Sequence, residues 1–270
     1  MTPLADAALA RRLERAEGES NARFVEARAQ VCPERGAGWI DVGGTYAMFD
    51  GVSSPCTQTF GFGLFSAPSE ADLDAIERFF RERSAPVLHE ISPLADPSHL
   101  ALLNARGYRP IECSTVLYQS LAGYTPGAPP PHGVAVRTIR PDEIECWSKT
   151  FAAGWSDVDG IGDMALDLSR VTAARADAHL FMAELEGRAV AAGALAISDG
   201  VALLAGASTV PDARRRGAQL ALLGSRLQYG AARGCDLAMV VALPGSGSQR
   251  NAERNGFRIA YTRTKWQLNA

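Results

Sequence analysis

The sequence predicts an α/β protein of two domains, and three observations carry that prediction. Helical segments alternate with short β-branched and aromatic runs along the whole chain, which marks a mixed α/β arrangement. A stretch crowded with proline and glycine, Ala122 to Gly133, interrupts the pattern near the middle and reads as an extended, semi-rigid linker. The two sides of that linker also end alike. Asn104-Ala105-Arg106-Gly107-Tyr108-Arg109 follows a short helix and leads into a strand. Glu253-Arg254-Asn255-Gly256-Phe257-Arg258 does the same, with Gly107 and Gly256 149 residues apart. Repetition of these features in order points to duplication. In a chain of 270 residues either side can bury a core of its own. The expected domains are residues 1–121 and 134–270, with 122–133 as the linker.

In the first domain, Leu4 to Gln30 is rich in Ala, Leu, Glu and Arg and reads as one or two helices. Gly38–Phe49 and Gln58–Phe65 set aromatic and β-branched residues between Gly-rich turns, as strands do. Ser69 opens a helix through Arg83 as its N-cap, with Asp72 at the capping-box position. Val87–Ser92 reads as a strand, Pro97–Ala105 as a helix stopped by Gly107, and Ile111–Leu121 as a strand.

The second domain starts with strand Val134–Ile139. Pro141-Asp142-Glu143 opens a helix through about Phe151, and a Gly/Asp-rich stretch, Gly154 to Asp163, leads to a second helix ending near Arg175. Leu180–Glu184 and Ala189–Ile197 are strands, and Asp199-Gly200 is a hairpin turn signal. Val201–Val210 is almost wholly apolar and is expected as one central strand buried on both faces. A loop from Pro211 to Gly217 precedes a helix from Ala218 to Arg233. Strand Leu237–Leu243, short helix Ser248–Arg254 and strand Arg258–Leu268 complete it.

Composition narrows the function. The net charge is −3, with 47% hydrophobic and 21% charged residues, so no strongly basic face is available for broad nucleic-acid binding. The five cysteines are odd in number, scattered and never in CxxC spacing, which argues against a disulfide framework and a zinc site; no metal spacing links the four histidines. Met1 to Arg12 is a charged, Ala-rich helical start without an apolar signal core, and no apolar run approaches the roughly 20 residues that span a bilayer. The expectation is a cytoplasmic protein with no metal, no nucleic-acid partner and no membrane segment.

The segment Ser208-Thr209-Val210-Pro211-Asp212-Ala213-Arg214-Arg215-Arg216-Gly217-Ala218-Gln219 carries the chemistry. It joins the apolar strand to a helix start, where the first amides of the helix are free and the dipole adds partial positive charge. Gly217 lets backbone approach a ligand closely, and three arginines flank it. Together these suit a pyrophosphate. A Walker A loop and a GxGxxG fingerprint are both missing.

This segment resembles motif A of the GNAT superfamily of N-acetyltransferases, Arg/Gln-x-x-Gly-x-Gly/Ala. Arg214 and Gly217 match, and Gln219 stands where Gly or Ala is usual. The element order of 134–270 and the Asn255-Gly256-Phe257 ending agree with that family. The resemblance implies two tandem GNAT-like domains, each a mixed, mostly antiparallel twisted sheet flanked by helices, with a splayed central strand pair. It implies that Ser208, Thr209 and Val210 offer backbone groups to the acyl and pantetheine portions of acetyl-CoA. Arg214, Arg215, Arg216, Gly217, Ala218 and Gln219 would hold the pyrophosphate, and Ser248 and Asn251 would meet the pantetheine arm, although an N-cap role also accounts for Ser248. In the first domain Ala67-Pro68-Ser69-Glu70-Ala71-Asp72 replaces the arginine-glycine loop. Its carboxylates would repel a pyrophosphate, so that domain is expected to be degenerate, leaving one acetyl-CoA site per chain. A duplicated chain is compatible with a monomer or a homodimer.

Acyl transfer to an amine requires removal of a proton from the acceptor and a hydrogen bond or proton for the departing thiolate. The Tyr that many GNAT members place four residues before the Gly of the Gly-Phe ending is Ala252 here, and the Glu that many carry on the strand before motif A has no counterpart in Val201–Val210. Ser208, which could order a water, and Tyr261, which could bond the thiolate, are the substitutes. Trp155, Asp157 and Asp159, on the loop that borders the acceptor site in GNAT folds, would form an acidic, aromatic mouth for a cationic amine. The expected function is acetyl-CoA-dependent N-acetylation of a small-molecule amine. The alternative is a non-catalytic acyl-CoA-binding sensor or pseudoenzyme.

Overall fold

The computed structural model describes residues 4–127 and 132–269, so Ala128–Pro131 of the expected linker lie outside the described residues. Along the chain run α1 (Ala7–Val31), β1 (Gly38–Val42), β2 (Thr45–Phe49), β3 (Gln58–Phe60), α2 (Glu70–Arg81), β4 (Leu88–Ile91), α3 (Ser98–Ala105) and β5 (Tyr108–Ser120). Then follow β6 (Val134–Thr138), α4 (Ile144–Ala153), α5 (Gly162–Ala174), β7 (Ala178–Leu185), β8 (Arg188–Ser198), β9 (Val201–Leu203), β10 (Ala207–Thr209), α6 (Ala218–Ala232), β11 (Leu237–Ala242), α7 (Gly247–Arg254) and β12 (Arg258–Leu268). The chain forms two compact units, residues 1–119 with 239–270, and residues 120–238. The sequence halves and the compact units are therefore different partitions, because 239–270 pack in the first unit.

In the first unit, local capping chemistry sets the helices. Asp6 accepts the Leu9 amide at 2.9 Å and starts α1, which runs as one 25-residue helix rather than two. Ser69 and Asp72 form a reciprocal capping box at α2, the Ser69 amide donating to Asp72 at 2.9 Å and the Asp72 amide to Ser69 Oγ at 3.2 Å. Strands β1 and β2 form a hairpin, β2 pairs with β3, and β3 runs parallel to β4. β12 inserts between β4 and β5, antiparallel to both. The core includes Phe62, Leu73, Ile76, Phe80 and Leu103.

The same unit buries charge. Arg28 pairs with Asp50 at 2.7 Å, both fully enclosed. Arg263 on β12 lies among Glu17 (2.6 Å), Glu90 (2.8 Å) and Glu14 (3.4 Å). A guanidinium taken out of water needs such partners. His89 on β4 is enclosed between Thr59 Oγ1 (2.8 Å) and the Tyr108 hydroxyl (3.3 Å), and burial drives its imidazole down to about 3.

The second unit is antiparallel in order β9-β8-β7-β6, with β10 also on β8. The expected single strand Val201–Val210 is interrupted. Leu203 faces Ala196 and Ala207 faces Gly193, so three residues, Leu204 to Gly206, stand opposite two. Gly206 takes φ +59° in this bulge, and a side chain there would meet the Phe151 ring at 3.2 Å. Val201–Leu204 are buried as expected, but Gly206 is exposed and Ala205, Ala207 and Val210 are half-buried, and the apolar run gave no sign of the extra residue. Among the described residues no helix is long and apolar enough to cross a membrane.

Candidate functional site

Strand β10, the following loop and the start of α6 all lie in the second unit, and the sequence dictates their shape. Pro211 begins a single tight turn through Ala213, which is buried and anchors the loop. Arg215 then takes φ +63° and Gly217 φ +86°. The left-handed region costs an L-residue about 1–2 kcal/mol, so Arg215 carries strain of the kind that collects at ligand sites. No side chain caps α6 at Gly217. The amide of Ala221 bonds the Gly217 carbonyl at 3.0 Å, whereas the amides of Ala218, Gln219 and Leu220 have no acceptor four residues back within the helix. An uncapped start on a 15-residue helix, after three exposed arginines, has the chemistry that favours an anion.

The three arginines are not alike. Arg215 makes no ion pair among the described residues. Arg216 reaches Glu186 only at 3.5 Å, with both side chains half-exposed or more. Arg214 is engaged by Asp157, Gly154 and Thr209. Gln219, the departure from the motif, accepts the Thr209 hydroxyl at 3.0 Å and ties the first turn of α6 back to β10. Ala218 is buried beneath that turn.

On β10, Ser208 is buried and donates its hydroxyl to the Phe151 carbonyl at 2.7 Å. Its proton therefore belongs to the last turn of α4, which corrects the expectation of a hydroxyl free to order a water. Val210 has its amide on the Val190 carbonyl at 2.9 Å, and its carbonyl accepts the Ala213 amide at 3.0 Å. Both backbone groups are occupied within the protein, so neither is free as the sequence led one to expect of Val210.

Tyr261 is also corrected. It lies buried in the first unit and donates its hydroxyl to Glu14 at 2.8 Å. Burial and the Glu14 carboxylate hold its hydroxyl well above the usual phenol range, so it is a core group and a poor acid. Ser248 and Asn251 lie on α7, in the first unit. Ser248 is exposed in the first turn, and Ser246 is the residue that caps the helix, accepting the Gln249 amide at 3.1 Å. Asn251 accepts the Asn255 side chain at its backbone carbonyl at 2.7 Å. Ala252, where a Tyr was sought, is buried.

Residues 154–161 connect α4 to α5 in the second unit. Trp155, Asp157 and Asp159 are exposed there, Trp155 at 36%. Arg214 holds the Asp157 carboxyl below the usual range through its hydrogen bonds. Trp147 on α4 is fully buried, donating to the Phe181 carbonyl at 2.9 Å and stacking on Phe151. Sequence reading missed the contribution of α4's C-terminus, Phe151 to Gly154; the one local signal was a glycine directly after a helix.

Among the described residues of the first unit, the start of α2 offers no corresponding uncapped helix end. The capping box closes the start of α2, and Phe62 is buried against His89, ring centres 4.9 Å apart. The parallel strands β3 and β4 are joined at Thr59–His89 and Phe60–Glu90.

Residues 137–257 match the model of the acetyltransferase (GNAT) family. No curated protein matches the chain by sequence. Among solved structures, a GCN5-related N-acetyltransferase from Kribbella flavida aligns over 92% of this chain and 95% of its own, at 19% identity and TM-score 0.63. A GCN5-related N-acetyltransferase from Sphaerobacter thermophilus covers 79% of this chain and 72% of its own, at 19% identity and TM-score 0.56. A tandem GNAT protein from the clavulanic acid biosynthesis pathway covers 84% and 79%, at 14% identity and TM-score 0.58. At these identities the likeness is one of fold.

Proposed function

From the match of residues 137–257 to the model of the acetyltransferase (GNAT) family, we propose that the chain is an acetyl-CoA-dependent N-acetyltransferase that acylates a small-molecule amine. The observation that carries the reading is the uncapped start of α6, preceded by left-handed Arg215 and Gly217 and by side chains of Arg215 and Arg216 that are free or weakly paired. These residues fit a pyrophosphate. The amides of Ala218 and Gln219 and the two guanidinium groups would hold it, and Ser208 and Thr209 would line the acyl end. The thioester supplies the acyl group.

The chain's own part is mainly placement. No ionisable side chain lies on β9, the bulge or β10, so rate would come from orientation and exclusion of water rather than from a strong base. Trp155 and Asp159 on the α4–α5 connection are proposed for the acceptor side, where an aromatic face and a carboxylate favour an ammonium.

Titration of acetyl-CoA by calorimetry tests the reading. Gly217→Glu adds bulk and negative charge at the cradle, and affinity should fall by about tenfold or more, or about 1.4 kcal/mol. Unchanged affinity overturns the cofactor site. Release of thiol from acetyl-CoA against a panel of amines then tests catalysis. A second reading, an acyl-CoA sensor, is favoured by buried Ala252 and by the engaged hydroxyls of Ser208 and Tyr261. Binding without turnover on any amine supports it.

A further inference from the structure

Arg214 heads the arginine-glycine loop, yet its guanidinium is taken up by partners outside the helix start. Nη1 donates to Asp157 Oδ2 at 2.5 Å and Nη2 to Asp157 Oδ1 at 2.8 Å, a two-pronged ion pair. Nη2 also donates to the Gly154 carbonyl at 2.8 Å, and Nε to the Thr209 carbonyl at 3.2 Å. A guanidinium has five N–H groups in a fixed fork. These bonds use all but one of them, on Nη1, which leaves little for a phosphate.

The acceptors lie on two pieces of the second unit. Gly154 and Asp157 belong to the α4–α5 connection, and Thr209 ends β10. Ser208, one residue earlier, bonds the Phe151 carbonyl. Ser208 and Arg214 thus supply two donors to the last carbonyls of α4, where donors and positive charge are favoured. The approach is close: a Cβ on Gly154 would lie 3.0 Å from the Thr209 amide nitrogen.

We infer that Arg214 is a positioning residue and not a pyrophosphate ligand. Its guanidinium fixes the α4–α5 connection, where the acceptor is proposed to bind, to the strand that lines the acyl end. Its geometry stands independently, but its catalytic consequence rests on the proposed transferase reading. Arg215 and Arg216 then carry the pyrophosphate. A lysine could not replace Arg214, because a single ammonium cannot span three acceptors on two chain segments in a planar fork. The pair is partly exposed, so its loss should loosen the connection locally and leave the fold intact.

Four proteins decide the matter: wild type, Arg214→Gln, Asp157→Ala and the double variant Arg215→Gln/Arg216→Gln. Acetyl-CoA affinity is read by calorimetry, and amide exchange over residues 152–163 is read on ligand-free protein. Arg214→Gln should keep affinity within about threefold of wild type while exchange over the connection rises about fivefold or more, and Asp157→Ala should reproduce that rise. The double variant should do the reverse, losing about tenfold in affinity with exchange unchanged. With an acceptor in hand, Arg214→Gln should raise the acceptor KM and leave the acetyl-CoA KM alone. A tenfold loss of acetyl-CoA affinity in Arg214→Gln, or unchanged exchange, overturns the inference. If wild type itself fails to bind acetyl-CoA, the proposed function falls, and the exchange measurements still decide what Arg214 holds.

Discussion

Replacing Gly154 with Ala puts the docking of α4 on β10 to a quantitative test, because backbone preference and packing predict opposite signs. Gly154 has φ −66° and ψ −10°, which any residue adopts. On backbone grounds alone Ala should stabilise by about 0.4–1 kcal/mol, since it narrows the unfolded ensemble. Packing says otherwise. The added Cβ would lie 2.4 Å from both Cβ and Oγ of Ser208 and 3.0 Å from the Thr209 amide nitrogen. Carbon atoms in contact sit about 3.5–4.0 Å apart, so a gap of about 1 Å must open, and the backbone nitrogen cannot swing aside. Overpacking of this kind costs about 1–3 kcal/mol. Opening the gap also breaks the 2.7 Å bond from Ser208 to the Phe151 carbonyl, worth about 1 kcal/mol. Net of the backbone gain, the loss should be about 1–3.5 kcal/mol, at about 2–4 °C in Tm for each kcal/mol. Urea denaturation measures it directly. In a Ser208→Gly background the same substitution should cost less, since the two Ser208 atoms at 2.4 Å are gone and only the Thr209 amide nitrogen at 3.0 Å remains. A Gly154→Ala protein as stable as wild type, or more so, refutes the close approach and with it the geometry assigned to Arg214.

The first unit gives further predictions. His89 has a folded value of about 3, below its unfolded value near 6.5, so its contribution is fully present above pH 6.5 and is lost as pH falls toward 3. That amounts to about 2 kcal/mol at pH 5, and a His89→Leu protein should show a shallower acid loss in denaturant titrations between pH 7 and 5. Glu14 works in the other direction. Burial lifts its carboxyl to about 7 against the pull of Arg263, so its contribution is fully present below its unfolded value near 4.5 and is lost as pH rises through 7; Glu14→Gln should reduce the stability difference between pH 5 and 8. Tyr261→Phe removes a hydrogen bond to that carboxyl and should cost about 1–3 kcal/mol while leaving acetyl-CoA affinity and any turnover at the wild-type level. A tenfold drop in turnover with intact binding would return Tyr261 to the chemistry.

Local signals were legible and pairings were not. The Ser69–Asp72 box and the strand-loop-helix around Gly217 could be read because caps, glycine and helical period act within a few residues. The bulge at Leu204–Gly206 escaped, since an apolar run looks the same with or without one extra residue, and only register against β8 reveals it. Tyr261 and Ser208 were misassigned for a related reason. Their partners, Glu14 and Phe151, are 247 and 57 residues away in sequence. Arg214 shows the limit of motif reading: the pattern marks where an arginine stands, and the direction of its side chain depends on Asp157 and Gly154.

Strand β12 has a consequence for how the chain is made. It fills the space between β4 and β5, so the first unit's sheet stays divided until residues 258–268 have left the ribosome. Residues 120–238 are contiguous and can fold as they emerge, while β4 and β5 wait with unpaired edges that invite association with other chains. The portion translated first is thus completed last. A fragment cut at the Pro/Gly-rich stretch would strand β12 without either neighbour, and a chain stopped before Arg258 would expose both.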